Sequence, residues 1–386
     1  MKFPNQVLIQ SKQPELGVSI FAIMSQLARD TQAINLSQGF PDFACHPDLI
    51  NLVNKHMQTG HNQYAPMQGV LSLREKLAEK IQLIYHAKYN PDTEITITSG
   101  ATEALYAAIT ATVHQGDEVI LFEPAYDAYA PAIRYNGGIP VFIKLKYPDY
   151  HINWSGVRSA INSRTRLIII NSPHNPTGSI LSEKDLGELT DIVKDTNIIL
   201  IADEVYEHIV FDEYEHNSLC KYPELAERSM VISSFGKTYH TTGWKVGYCV
   251  APKELSVEFQ KIHQFLTYAV NTPVQMAYAD FLDRKELFFE LKTFYQKKRD
   301  LFRTFIHSSR FKLLPCAGTY FQMAQYSQIS DEPDVQFAER ITKEFKVASI
   351  PTSVFYNQKD DNKVIRFCFA KQDETLQQAA ERLCRI

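Results

Sequence analysis

The chain has 386 residues, more than a single hydrophobic core usually holds, so we expect two or three domains. Its 45% of hydrophobic and 22% of charged residues are typical of a folded globular protein. A net charge of -4 gives no basic surface for a nucleic acid, and the apolar runs are too short to cross a membrane.

The N-terminus and the cysteines indicate the compartment. The first residues, M-K-F-P-N-Q-V-L, lack the continuous apolar run and cleavage site of a signal peptide. The six cysteines are scattered without a C-x-x-C pair, which is typical of a reducing compartment and of a chain without a zinc site. We therefore expect a cytoplasmic protein that holds no structural metal.

The N-terminal quarter reads as helices separated by turns. Apolar periodicity predicts helices over residues 20–28, 48–57 and 71–85. Gly39 and Pro41 mark a turn after the first helix, and Tyr64 lies in a second turn, Y-A-P-M-Q-G.

From about Glu94 onward, short β-rich runs alternate with helical segments. The predicted strands are 95–98, 118–122, 139–145, 167–170, 197–201, 230–233 and 246–250, and the predicted helices are 102–113, 125–135, 182–195 and 257–269. This alternation is typical of βαβ units, so we predict an α/β domain with a mostly parallel seven-stranded sheet and helices on both faces.

Beyond Val274 the pattern changes to a smaller α+β domain. A long charged helical region over 275–307 precedes predicted strands at 311–314, 319–324, 347–350 and 364–369, with helices at 334–346 and 374–385. We expect residues 41–274 to form the large domain and 275–386 the small one, with residues 1–40 packing against the small domain.

Ligands of open α/β sheets bind beyond the carboxyl ends of the strands, so the residues just after each predicted strand are candidates for a site. After the first strand comes S-G-A-T-E-A, in which Gly100, Ala101 and Thr102 begin a helix. Free backbone amides there suit a phosphate group, although for this stretch alone a plain helix cap by Ser99 or Thr102 is the favoured interpretation. Tyr126 and Asn175 come after two further strands, where each is either a ligand contact or an ordinary packing or turn residue.

Two more strand ends carry ionisable groups. Asp203 and Tyr206 stand in A-D-E-V-Y, and an acid next to a buried strand needs a cationic partner. Ser234, Lys237 and Lys245 stand in the stretch S-S-F-G-K-T-Y-H-T-T-G-W-K-V-G. A lone lysine is usually a surface charge, but a lysine beside a phosphate can act as an amine nucleophile.

Together these groups match the needs of pyridoxal 5'-phosphate (PLP). This cofactor requires an amine that forms a Schiff base, a phosphate anchor, an acid near the pyridine nitrogen and a ring that stacks on it. In their order, S-G-A-T-E-A, E-P-x-Y, N-P-T-G, A-D-E-V-Y, S-x-x-K and G-W-x-V-G, the motifs resemble the class I aminotransferases of PLP fold-type I. The resemblance covers nearly the whole chain and is closest to the kynurenine and glutamine-transaminase-K-like branch, within it to bacterial members acting on methionine.

The resemblance implies a role for each residue. Lys237 would bond the cofactor covalently, and Asp203 would pair with its ring nitrogen. Tyr206 and Asn175 would contact the ring oxygen of the cofactor, and Tyr126 would stack on its ring. The phosphate would be held by Gly100, Ala101, Thr102, Ser234 and Lys245, and the substrate carboxylate by Gly39, Asn175 and Arg366. Tyr64 would contact the phosphate bound by a neighbouring subunit. The last role implies a homodimer with shared active sites. Many class I members have arginine at the position that Lys245 occupies in this chain. Lysine keeps the positive charge but lacks the guanidinium group that can form two parallel hydrogen bonds.

The expected reaction is ping-pong transamination between an amino acid and a 2-oxo acid. Aromatic residues placed near the pocket (Phe21, Phe40, Tyr64 and Tyr126) favour a neutral, bulky L-amino acid, with methionine first and aromatic amino acids, glutamine and kynurenine after it. A PLP-dependent carbon–sulfur β-lyase acting on cystathionine-like substrates shares these features and remains the alternative. A nicotinamide dehydrogenase is disfavoured because no G-x-G-x-x-G comes after a strand.

Overall fold

The computed structural model describes residues 10–386. In this part of the chain, no helix is long and apolar enough to cross a membrane. The helices are α1 (Ile20–Asp30), α2 (Pro47–Gln58), α3 (Leu71–Tyr85), α4 (Gly100–Thr112), α5 (Tyr129–Tyr135), α6 (Trp154–Ala160), α7 (Glu183–Val193), α8 (Pro223–Ala226), α9 (Phe235–Thr238), α10 (Lys253–Leu266), α11 (Thr272–Phe281), α12 (Glu286–Phe305), α13 (Asp334–Glu344) and α14 (Asp373–Leu383). The strands are β1 (Ile34–Asn35), β2 (Ile95–Thr98), β3 (Glu118–Glu123), β4 (Ile139–Lys144), β5 (Thr165–Asn171), β6 (Ile199–Asp203), β7 (Ser229–Ser234), β8 (Gly247–Val250), β9 (Lys312–Leu313), β10 (Phe321–Gln325), β11 (Val347–Ala348), β12 (Ile350–Pro351) and β13 (Val364–Cys368).

A seven-stranded sheet forms the centre of the molecule and confirms the predicted α/β class. Its strand order is β2-β8-β7-β6-β5-β3-β4, and only β8 runs antiparallel to its neighbours. Two apolar cores, one containing Leu77 and Ile168 and the other Ala108 and Ile169, cover it. The carboxyl ends of the parallel strands therefore meet at one edge, and because β8 is reversed, its first residue lies at that same edge.

A second unit is built on a four-stranded antiparallel sheet of order β12-β13-β10-β9. β1 pairs in parallel with β11, with Ile34 opposite Val347, and Met24 of α1 belongs to the core of this unit. Residues from the N-terminal stretch thus pack with the C-terminal unit. The domain boundaries after residues 40 and 274 stay a prediction, and residues 1–9 lie outside the described part.

Two predicted helices differ from the observed ones. The helical region predicted over 275–307 is divided, because α11 ends at Phe281 and α12 begins at Glu286. In the connection between them, Nη1 of Arg284 lies 2.7 Å from Oδ2 of Asp48. The apolar side of α11 packs in the core that contains Leu77 and Ile168, whereas α12 packs in the core of the second unit. The helix predicted from Ala125 begins only at Tyr129, since the amide of Ala125 donates to the carbonyl of Phe355 across the units.

Candidate active site

A cavity of about 370 Å³ lies at the carboxyl edge of the large sheet. It brings together residues from β5, β6, β7, α4 and β13 that are far apart in the chain. Every site residue predicted from the sequence lines it except Tyr64: Gly39, Gly100, Ala101, Thr102, Tyr126, Asn175, Asp203, Tyr206, Ser234, Lys237, Lys245 and Arg366.

One end of the cavity can hold an anion. Gly100 has a φ of +76°, and a Cβ built on it would lie 3.3 Å from Nζ of Lys245, so the lysine side chain lies directly over the start of α4. The first amides of a helix have no partner within the helix, and the helix dipole favours negative charge there. Ala101 and Thr102 supply these amides next to the Lys245 ammonium group, which is a suitable arrangement for a phosphate group.

Asp203 supplies a buried carboxylate at the end of β6. The hydroxyl of Tyr129 donates to its Oδ2 at 2.6 Å. Burial raises the pKa of Asp203 to about 6, although the bond from Tyr129 and the charge of Lys237 both act in the opposite direction. A cation bonded to this carboxylate would therefore relieve the cost of its burial.

Lys237 lies on the short helix α9 and points its amine into the cavity. Nζ donates to the backbone carbonyl of Gly39 at 3.3 Å and lies 5.7 Å from the ring centres of both Tyr206 and Tyr320. Burial, with a smaller contribution from the charges of Arg366 and Lys245, lowers the pKa of Lys237 to about 8, although Cys368 and Asp203 act in the opposite direction. The lowered pKa increases the neutral fraction of this amine near neutral pH, and the neutral form is the one that can attack a carbonyl or accept a proton.

Arg366 is a cation whose hydrogen-bond partners are all neutral. Its side chain projects from β13 and is 1% exposed, and the ring of Phe321 lies 3.8 Å from the guanidinium carbon. Nη1 donates to Oδ1 of Asn175 at 2.7 Å and Nη2 to the carbonyl of Ser37 at 3.2 Å, while Nε has no partner among the described residues. A planar, incompletely bonded guanidinium in a cavity is suited to bind a carboxylate.

Comparison with known families identifies the family of the chain. The family described as aminotransferase class I and II matches residues 31–383. The chain belongs to this family. Aminotransferases of this class depend on PLP, so this chain is a PLP-dependent aminotransferase.

Individual relatives match along almost the full chain. The methionine aminotransferase of Escherichia coli K12 is 49% identical over 383 residues, which cover 99% of each chain. The human kynurenine–oxoglutarate transaminase 3 is 33% identical over 412 aligned positions, covering 99% of this chain and 90% of that protein. Among solved structures, YbdL of Escherichia coli, described with a methionine aminotransferase function, superposes with a TM-score of 0.97 at 49% identity and covers 99% of this chain and 100% of its own.

The residues that line the cavity fit PLP. The anion-binding end at α4 and Lys245 matches its phosphate group, and the buried carboxylate of Asp203 matches a protonated ring nitrogen. The amine of Lys237 lines the same cavity and would supply the nitrogen of the Schiff base. Two groups whose burial is costly in this chain, Asp203 and Arg366, would thus gain partners from the cofactor and a substrate carboxylate.

Two aromatic residues that we expected near the pocket lie outside it. Tyr64 is 85% exposed and lines a separate surface hollow with Asn271 and Thr272. Phe40 is also exposed, with its ring near Lys371. Phe21 and Tyr126 do line the cavity, as expected.

Several groups that complete the site were not predicted from the sequence. Tyr129 binds Asp203, Phe321 packs on Arg366, and Gln38 lines the cavity while its amide donates to the carbonyl of Phe21. Tyr129, the first residue of α5, comes three residues after Tyr126, and this spacing could have indicated that Tyr129 also lies near the site. No pattern in the sequence indicated Phe321, since its contact joins β10 to β13.

Proposed function

We propose that this enzyme transaminates a neutral, bulky L-amino acid, with methionine as its preferred donor, and passes the amino group to a 2-oxo acid by a ping-pong mechanism. The observation that carries this proposal is the number of cations in the cavity. Among the described residues, the lining cations are Lys237, Lys245 and Arg366. With one assigned to the covalent bond, one to the phosphate and one to the α-carboxylate, none remains for a second carboxylate on the donor.

The surroundings of Arg366 support the same substrate class. The rings of Phe321 and Phe21 lie 3.8 Å and 5.3 Å from its guanidinium carbon. A side chain that extends from a carboxylate held by Arg366 therefore meets aromatic surface, which favours an apolar or thioether group. The full-length relative from Escherichia coli named as a methionine aminotransferase supports methionine in particular.

In this proposal each residue does one part of the work. When bound, PLP supplies the electrophilic carbonyl and the electron sink of the reaction. Arg366 and Asn175 orient the substrate carboxylate, and Nζ of Lys237 accepts the proton from the α-carbon and later returns a proton. Asp203, which accepts a hydrogen bond from Tyr129, would hold the protonated ring nitrogen of PLP, and Lys245 with the start of α4 would hold its phosphate.

The test screens amino donors against one 2-oxo acid while the absorbance of the cofactor is monitored. We expect methionine to give the highest kcat/KM and aspartate to react poorly. We also expect Lys237→Ala to lower kcat by at least about 10³-fold, because the base and the covalent attachment are both lost. A clear preference for aspartate, or substantial turnover by Lys237→Ala, would contradict the proposal.

The same assay separates transamination from the carbon–sulfur β-lyase reaction. A lyase would release pyruvate and ammonia from cystathionine without an added 2-oxo acid, whereas a transaminase requires the acceptor. The relatives from Escherichia coli and the human relative are all named as aminotransferases or transaminases, which favours transamination.

We further propose a cytoplasmic homodimer with active sites at the interface. All six cysteines are free, which is consistent with a reducing compartment. Tyr64 and Phe265 are each 85% exposed, and Tyr64 lies edge-on to Tyr268 at 5.7 Å. An exposed aromatic group of this kind is a typical contact surface for a second copy.

A further inference from the structure

A second buried carboxylate, Glu207, lies one residue past Tyr206 and does not line the cavity. It is 6% exposed and accepts four side-chain hydrogen bonds. The donors are Nζ of Lys80 at 2.7 Å, the hydroxyls of Tyr85 at 2.7 Å and Tyr248 at 2.8 Å, and Oγ of Ser233 at 2.8 Å. We call these five residues the Glu207 cluster.

Three members of the cluster lie on segments that carry cavity residues. Glu207 comes directly after Tyr206, Ser233 precedes Ser234 on β7, and Tyr248 on β8 comes three residues after Lys245. The other two donors, Lys80 and Tyr85, lie on α3, which contributes no residue to the cavity lining. One carboxylate thus connects the chain segments that carry Tyr206, Ser234 and Lys245, which all line the cavity.

The charge state makes these bonds strong. Burial by itself would raise the pKa of Glu207, but the ammonium of Lys80 and the hydroxyl donors outweigh it and hold this pKa well below its usual range. Glu207 is therefore ionised, and hydrogen bonds to an ionised acceptor are shorter and stronger than neutral ones. Loss of one hydroxyl donor frees its element from the shared anchor without leaving a buried charge unpaired.

We infer that Glu207 is a positioning residue, which sets the relative placement of Tyr206, Ser234 and Lys245 around the cofactor. This inference rests on the cofactor site of the proposed function. The alternative is that the cluster only docks α3 against the sheet and contributes to stability alone. The two interpretations differ in which tyrosine of the cluster affects the cofactor.

The test compares Tyr248→Phe with Tyr85→Phe. Both remove one buried hydroxyl that donates to Glu207 at nearly the same distance. The Tyr248 hydroxyl also accepts from Nζ of Lys80 at 3.0 Å, and only Tyr248 lies on a strand that leads from a cavity residue. Single Tyr→Phe changes are preferable to Glu207→Gln, which would leave Lys80 buried and unpaired and could prevent folding. The measurements are the dissociation constant of PLP, the visible circular dichroism of the bound cofactor, and the Tm of the apoenzyme.

We expect both variants to lower Tm, but only Tyr248→Phe to raise the dissociation constant of PLP about fivefold and to alter the circular dichroism. Tyr85→Phe is expected to stay within about twofold of the wild type. Equal effects of the two variants on PLP binding, or lowered Tm values with unchanged PLP binding in both, would overturn the positioning role. Loss of the covalent absorbance band in Lys237→Ala, measured alongside, tests the proposed site separately, since the contrast between the tyrosines does not depend on which lysine forms that band.

Discussion

Burial shifts the pKa values of Lys237 and Asp203 in opposite directions. It lowers the pKa of the Lys237 amine to about 8 and raises that of the Asp203 carboxyl to about 6. Both groups consequently change protonation close to neutral pH, whereas an exposed lysine and an exposed aspartate do not. Displaced values of this kind are typical of residues that exchange protons in an active site.

The shift of Lys237 predicts a pH-dependent stability of the apoenzyme. The folded-state pKa lies below the unfolded value of 10.5, so the unfolded chain binds more protons between about pH 8 and pH 10.5, and stability rises with pH in that window. At about pH 7.5 we expect Lys237→Met to be more stable than the wild type. The difference should shrink by about 2 kcal/mol at about pH 9.5.

Urea unfolding of both apoproteins at the two pH values measures this difference. Lys297→Met, which removes an exposed lysine from α12, serves as the control and should show no such pH-dependent change. If the free energies of unfolding of Lys237→Met and the wild type differ by the same amount at both pH values, the pKa of the Lys237 amine is not lowered in the folded apoenzyme.

At the scale of elements, the phosphate end depends on how closely α4 and β8 approach each other. A Cβ at Gly247 would lie 2.8 Å from the amide nitrogen of Ala101 and 2.7 Å from the carbonyl of Ser233. Gly100 has a positive φ, which an L side chain adopts only with strain. Glycine at these positions therefore lets the start of α4 and the Lys245 side chain meet around one anion.

Gly100→Ala should weaken this end of the site. The added Cβ would meet Nζ of Lys245 at 3.3 Å, and the left-handed backbone costs an alanine about 1–2 kcal/mol. We expect the dissociation constant of PLP to rise by about tenfold or more, measured by equilibrium dialysis. Gly187→Ala in α7 is the matched control: its Cβ meets nothing within 4 Å, and it should stabilise the helix by up to about 1 kcal/mol without a change in PLP binding. Unchanged PLP binding in Gly100→Ala would contradict the proposed phosphate site.

At the scale of the whole molecule, the cavity and the exposed aromatic surface are separate features of one chain. Tyr64 lies outside the cavity, yet the family resemblance implies that it contacts a phosphate. Both statements hold together if Tyr64 of one subunit reaches the site of another. The monomer then carries an incomplete site, and only the dimer is fully active.

Mixing two variants that we expect to be impaired tests this arrangement. If Tyr64 acts across the interface, a mixed dimer of Lys237→Ala and Tyr64→Ala contains one site with both residues intact. After dissociation and random reassociation of equal amounts, we expect about one quarter of the wild-type activity. Light scattering should report the mass of a dimer. Activity no greater than the sum of the two separate variants would place Tyr64 outside the partner's site.

Local sequence determined the strands and the chemistry at their carboxyl ends. Apolar runs such as Ile168–Ile170 and Leu200–Ile201 predict buried strands because both faces of a parallel sheet are covered. The topology of such a sheet then places the ends of the strands at one edge, so Asp203, Asn175 and Lys237 could be assigned to a common site before any contact was known. The confirmed seven-stranded sheet results from this regularity.

Contacts between distant segments were decided only by the tertiary structure. The bond from Tyr129 to Asp203 joins residues 74 positions apart, and the bond from Lys80 to Glu207 joins residues 127 positions apart. Division of the predicted helical region into α11 and α12 likewise depends on two different cores, each built from remote segments. Hydrophobic periodicity in the sequence predicts which side of a helix or strand is apolar. A buried hydrogen bond between two side chains depends instead on which two elements become neighbours in the fold. The sequence by itself therefore determined the cofactor chemistry, and the packing of the two units decided how its residues are held in place.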